Sequence, residues 1–219
     1  MQNIFDILGQ SPLFYGISPE SCESMLRCLA ARTESYAKDD VILLSGDSVR
    51  EVGLLLSGSA KIIREDVNGN ISIIAGVLPA EMFGEAFACA GVAHSPVTVV
   101  AAELCRVLFL DYRRIITTCS AACVFHARLI ENMLKVIADK NLRLNQKIEV
   151  LSQRTTRQKL MAYFERQGAG APKFTIPFNR EELAQYLCVD RSAMSAELGR
   201  MQREGLIRFT RNEFEILSM

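Results

Sequence analysis

The chain has 219 residues, of which 49% are apolar, and its 25 basic side chains balance 25 acidic ones. That composition supplies buried cores for one large or two modest domains and excludes a low-complexity chain. No run approaches the ~18 uninterrupted apolar residues of a membrane span, and nothing at the start resembles a signal peptide, so a soluble cytoplasmic protein with no membrane partner is expected.

Residues 3–31 read as short helices, the second opening on Ser18 as N-cap with Pro19 as its first helical residue. The period then changes. "VILLSGD" (41–47), "EVGLLLSGSAKIIRED" (51–66), "ISIIAGVLP" (71–79), "VTVVAAE" (97–103) and "CRVLFLD" (105–111) are short, rich in β-branched residues and separated by turn residues. Asn68-Gly69 between two of these runs signals a hairpin, because the turn requires positive φ. Many short strands between residues 41 and 111 predict an all-β sandwich or barrel.

From about residue 121 to 150 the chain has no Gly and no Pro. Leu129, Met133, Val136, Lys140, Leu144 and Leu151 fall near a seam of 3.5 residues, with Ile137 and Ile148 beside it; Lys140 interrupts it. A narrow apolar stripe on so long a helix predicts a pairing surface between two copies, with packing against the chain's own β domain as the alternative. "LSQRTT" (151–156) ends this helix, a further helix follows, and "GAGAP" (168–172) is a loop.

"FNREELAQYLCVDRSAMSAELGRMQREGLI" (178–207) predicts two helices with a brief break. Asn179 and Glu182 form a capping-box pattern. Leu183 and Leu187 face inward, Ala184 permits a close crossing, Val189 fills the corner and Asp190 caps the second helix. There Met194, Leu198 and Met201 make an inward stripe, leaving Arg191, Ser192, Ser195, Ala196, Arg200 and Arg203 outside. A second helix held this way can enter a DNA major groove. Gly205 stops it, and "LIRFT-RNE-FEIL" reads as a hairpin whose tip residues Arg208 and Arg211 lie near phosphates, with Arg180 added from the first helix. Residues 151–219 carry 11 basic against 8 acidic side chains, and residues 1–150 carry 14 against 17; the small basic excess is compatible with a polyanion partner.

With those residues in view, the chain resembles the Crp/Fnr superfamily of bacterial transcription regulators along nearly its whole length. "LLLSGSAKIIREDVNGNISIIAGVLPAEMFGEAFACAG" (54–91) is similar to the β-roll of the cyclic-nucleotide-binding type, and residues 178–207 to the family's DNA-binding element. The resemblance implies an α+β chain: a jelly-roll-like β-roll sensor domain (1–120), a dimerisation helix (121–150) and a winged helix-turn-helix (151–219). It implies a homodimer on a palindromic double-stranded DNA site, switched by an effector in the β-roll, and it allows RNA polymerase as a further partner.

Departures from the family pattern narrow this reading. Where a cyclic-nucleotide binder places an Arg against the phosphate, this chain has "HSPV" (94–97), while Glu85 matches the carboxylate that meets ribose hydroxyls. Burying a phosphate without a cation is costly, so a small organic effector other than cAMP is expected. Its expected surroundings are Phe83, Gly84, Glu85, Ala86, His94, Phe125, Arg128, Leu129, Asn132 and Met133, with Arg128 supplying the missing cation.

Relatives commonly carry Arg at the position of Ala196, which leaves base readout to Arg191, Ser192 and Ser195. Cys188 stands where many helix-turn-helix units have Gly and is expected to impose a non-glycyl turn.

Seven cysteines, at 22, 28, 89, 105, 119, 123 and 188, are too scattered for a disulfide framework. Only Cys22 and Cys28 precede the β-roll, short of the four thiolates of an iron–sulfur cluster. Cys119, Cys123 and His126 fall at i, i+4 and i+7, which motivates a second reading as a redox- or metal-sensing regulator; packing as a core stripe is the alternative. A phosphate loop, HExxH and GxSxG are all missing from the sequence, and an enzyme is not expected.

Overall fold

The computed structural model describes residues 4–117 and 124–217. The chain divides into two compact units: Met1–Asn70 with Ile74–Asn141, and Ile71–Ile73 with Leu142–Met219.

In the first unit, helices α1 (Ile4–Gln10) and α2 (Pro19–Cys28) precede strands β1 (Arg32–Tyr36), β2 (Val41–Leu43), β3 (Glu51–Ser57), β4 (Ala60–Glu65), β5 (Ile71–Val77, its first three residues grouped with the second unit) and β6 (Met82–Phe83). Helix α3 (Glu85–Ala90), strands β7 (Thr98–Ala101) and β8 (Cys105–Asp111) and the short α4 (Tyr112–Ile116) follow. The strands form two four-stranded sheets, in the orders β1-β8-β3-β6 and β2-β7-β4-β5.

Alternation along β3 and β8 explains their unbroken apolar runs. Leu55, Val107 and Phe109 join a core with residues of the second sheet, Ala60, Val99 and Ala101. Their neighbours Val52, Leu54, Leu56, Leu108 and Leu110 join a core with Leu8, Leu13, Met25 and Leu129 of the helical segments. Both faces of β3 and β8 are therefore buried, so both sets of positions along these two strands must be apolar.

Ser18 caps α2, its hydroxyl accepting from the Ser21 amide at 3.4 Å with Pro19 in the first turn. The Asn68-Gly69 hairpin forms between β4 and β5: Gly69 has φ 80°, and the Asp66 carboxylate accepts the Asn68 and Asn70 amides at 2.8 and 2.9 Å. Residues 51–66, read as one run, break into β3 and β4 at Gly58, where φ is 83° and a Cβ would meet the Leu104 carbonyl at 2.3 Å.

Helix α5 spans Val124–Leu151, about 42 Å for its 28 residues. Leu129, Met133 and Val136 are buried in the core of the first unit, and Lys140 is engaged with Glu85. The expected seam through 129, 133, 136 and 140 is thus an internal face. A second stripe runs one residue away: Ile130, Leu134, Ile137, Asn141, Leu144, Ile148 and Leu151, at alternating spacings of four and three. Leu134, Leu144 and Ile148 of this stripe are 64%, 51% and 52% exposed.

The second unit contains α6 (Thr156–Gly168), β9 (Lys173–Thr175), α7 (Arg180–Leu187), α8 (Arg191–Arg203), β10 (Ile207–Thr210) and β11 (Glu213–Ile216). Thr155 and Gln158 form a capping box at the start of α6, so the break read at "LSQRTT" is a helix end followed by a capped start. Strands β10, β11 and β9 make an antiparallel three-stranded wing. Arg157 of α6 fixes α8 by pairing with Glu197 and with Glu204, the latter at 2.7 Å and 2.9 Å.

Candidate nucleic-acid interface and effector site

Local chemistry builds the α7–α8 pair. The Asn179 side chain accepts the Glu182 amide at 3.0 Å while the Glu182 carboxylate accepts the Asn179 amide at 2.8 Å. Leu183, Ala184 and Leu187 are buried. Asp190 then caps α8, its carboxylate accepting the Ala193 amide at 2.7 Å and the Ser192 hydroxyl at 2.5 Å. Those two bonds, Ser192 first, hold the Asp190 carboxyl below its ordinary value. Met194, Leu198 and Met201 are at most 1% exposed.

The opposite face carries Arg191, Ser192, Ser195, Ala196, Arg200 and Arg203, all exposed. Two of these arginines have acidic neighbours: Arg191 lies 3.4 Å from Glu181 and Arg200 lies 3.2 Å from Glu197. The sequence reading missed Glu181, which steadies Arg191 at the start of α8. Both pairs are well exposed on the arginine side, and such pairs exchange readily for phosphate contacts.

Three expectations require correction. Cys188 adopts the left-handed conformation, φ 51° and ψ 56°, as the C-cap of α7; the turn is the one glycine favours, occupied by a residue that pays about 1–2 kcal/mol for it. Arg208 is not at the wing tip: it sits opposite Glu215 in the β10–β11 register and pairs with it at 3.1 Å. Arg211 is the tip residue, exposed, with φ 53°. Arg180 is half-buried, its guanidinium stacked over Phe209 at 4.6 Å and Phe214 at 5.0 Å. Burial lowers its pKa, and its Nη1 is buried without a hydrogen-bond partner among the described residues.

The expected effector residues do not converge on one cavity. Glu85, at the start of α3 after the left-handed Gly84, is 4% exposed. Its Oε1 pairs with Lys140 Nζ at 2.8 Å, and Lys140 also donates to the Met82 carbonyl. Arg128, expected to supply the cation missing from the β-roll, is exposed beside Glu131 at 3.6 Å. His94 is exposed, with Nδ1 2.7 Å from the Gly46 carbonyl, and Ala86 faces solvent.

Leu129 and Met133 are core residues. Asn132 is buried, its amide donating to the Leu13 and Tyr15 carbonyls at 2.9 and 2.8 Å. Phe83 packs edge-on to Phe109 at 6.3 Å and so close to Gly53 that a Cβ there would lie 2.1 Å from its ring.

Two clefts stand beside these residues. One of about 400 Å³ opens on the β-roll and includes Tyr36, Ser48, Arg50, Phe83, Gly84 and Phe109. Arg32 also lines it, but its charge is committed to Glu51, at 2.7 Å, and to Glu34; Arg50 has no ion-pair partner among the described residues. The other cleft, about 270 Å³, contains Met25, Cys28, Phe125 and His126. Cys119 and Cys123 lie outside the described residues. No three His, Cys, Asp or Glu side chains among the described residues gather to hold a metal ion.

The comparisons with known proteins agree with this layout. A family model for the cyclic nucleotide-binding domain matches residues 33–121 and one for the Crp-like helix-turn-helix domain matches residues 150–219. The chain belongs to the Crp/Fnr superfamily. It is 26% identical over 213 residues to the cyclic AMP receptor protein of Thermus thermophilus, covering 94% of this chain and 92% of that one. It is 24% identical over 196 residues to the transcriptional activator protein FnrA of Stutzerimonas stutzeri, covering 86% of this chain and 78% of that one.

In fold it is similar to the c-di-GMP responsive global regulator CLP of Xanthomonas campestris, with a TM-score of 0.74 at 16% identity, covering 90% of this chain and all of that one. This Crp/Fnr chain is a DNA-binding transcription regulator carrying a cyclic-nucleotide-binding-type domain. Among its described residues, no helix is long and apolar enough to cross a membrane.

Proposed function

We propose that the chain acts as a homodimer on a two-fold symmetric DNA site and responds to a small organic effector other than cAMP. The carrying observation is the polar face of α8, exposed over Arg191, Ser192, Ser195, Arg200 and Arg203 and held from behind by the buried Met194, Leu198 and Met201. Arg191, Ser192 and Ser195 are the base-reading set, with Arg200, Arg203 and Arg211 on phosphates. The α5 stripe supports the dimer: alternating four-and-three apolar spacing with one Asn is the pattern of a paired coiled coil whose Asn fixes the register.

The effector reading rests on the β-roll cleft. Its floor is aromatic and its free cation is Arg50, which suits a small molecule with an apolar body and an anionic group. Glu85, the carboxylate that a cyclic nucleotide's ribose would need, is already neutralised by Lys140. Ligand binding shifts the balance between two arrangements of the dimer, one of which presents α8 to successive grooves.

Fluorescence anisotropy against a selected duplex tests the interface. Arg191→Ala should lose about 1–3 kcal/mol of discrimination, roughly 5- to 150-fold, with the fold and dimer retained. Unchanged preference for that duplex over random DNA removes Arg191 from the readout. In the same assay, cAMP should leave the DNA affinity unchanged.

A further inference from the structure

His126 is 3% exposed, and its Nδ1 is buried with no hydrogen-bond partner among the described residues. A buried imidazole nitrogen left unpaired is costly unless something else meets it. His126 lines the cleft of about 270 Å³ between α2 and the start of α5, opposite Met25 and Cys28. Met25 and Cys28 are three residues apart on α2, one turn of the helix, and so share a face. Met25 is 2% exposed, whereas Cys28 is a free, exposed thiol.

We propose that this cleft is a binding site for monovalent copper, held by the Cys28 thiolate, the His126 imidazole and the Met25 thioether. The donor set decides the ion. Thiolate and thioether are soft ligands that select Cu(I). The structural zinc sites of proteins use four Cys, His or carboxylate ligands, and here even three such side chains do not gather among the described residues. The thioether therefore completes the set, which a hard or borderline ion would not accept as readily.

Binding breaks the Cys28 S–H bond, forms Cu–S and releases one proton to water; copper stays monovalent throughout. The thiolate cancels the ion's single charge, which keeps the cost of burial low. Bound copper ties α2 to α5, the helix that carries the exposed stripe. Any effect on DNA binding rests on the function proposed above; the metal site itself does not.

The reduced full-length protein is titrated with Cu(I) against bicinchoninate under anaerobic conditions. Wild type should retain one equivalent, Cys28→Ser should hold it at least a hundredfold more weakly, and Met25→Leu about tenfold more weakly. Cys188→Ser, which removes the other exposed thiol among the described residues, should match wild type. X-ray absorption of the loaded wild type, which avoids any variant that folds poorly, should show two sulfur neighbours and one imidazole nitrogen. The proposal is overturned if wild type retains no copper, if Cys28→Ser retains as much as wild type, if Cys188→Ser loses as much as Cys28→Ser, or if the absorption spectrum lacks the nitrogen.

Discussion

Leu134→Ala isolates the proposed pairing stripe of α5 from its internal face. Removing three carbons forfeits about 2.4 kcal/mol of transfer free energy at ~0.8 kcal/mol each when the side chain is fully covered. Leu134 is 64% exposed in the single chain, so pairing can cover only that part, about 1.5 kcal/mol. The two-fold axis counts the loss twice. The dimer therefore weakens by about 3 kcal/mol, roughly a hundredfold in dissociation constant.

Sedimentation equilibrium reads this directly. Leu129→Ala is the matched control: Leu129 is fully buried on the internal face, so its loss costs about 2–5 kcal/mol of fold stability and leaves the dissociation constant of the folded protein unchanged. A Leu134→Ala protein that dimerises like wild type, or a Leu129→Ala protein that folds normally but falls apart into monomers, reverses the assignment of the two faces.

Three further outcomes follow from side-chain detail. Asn141→Leu should tighten the dimer in the same assay while broadening its register, seen as a wider distribution of distances between spin labels on α5. Cys188→Gly should stabilise the second unit by about 0.5–1 kcal/mol, the left-handed penalty less the entropy that glycine adds to the unfolded chain; a lower melting temperature contradicts this.

Lys147 is 8% exposed over the Tyr186 ring at 3.9 Å, and burial lowers its pKa to about 8. The unfolded chain holds that proton to near 10.5, the folded chain only to about 8. Stability should thus rise with pH across that window in wild type and not in Lys147→Met; parallel denaturation curves for the two would remove Lys147 as the cause.

The α7–α8 element was legible from the sequence because its determinants are local. Asn179 with Glu182, Asp190, and the spacing of Met194, Leu198 and Met201 each act within one helix turn or so, and each does in the structure what the spacing implies. The β-roll cores were legible as short apolar runs, but β1 was not: Arg32–Tyr36 is mostly polar and exposed and forms only by pairing with β8. Helix α5 shows the limit of periodicity. Two apolar stripes one residue apart satisfy nearly the same spacing, and only the position of the β-roll decides which is covered. Lys140 looked like a flaw in a dimer seam because its partner, Glu85, is distant in sequence. Cys188 was misjudged by the assumption that a Cβ excludes the left-handed turn, when tertiary packing supplies the roughly 1–2 kcal/mol needed.

Selection of binding sites from a random duplex pool by the purified protein tests the central claim most directly, that two copies present α8 to DNA about a two-fold axis. The enriched sequences should contain an inverted repeat with half-site centres about 34 Å apart, one helical turn, and Arg191→Ala should erase the enrichment. Enrichment of a single asymmetric half-site, or none at salt low enough for phosphate contacts to form, would contradict it.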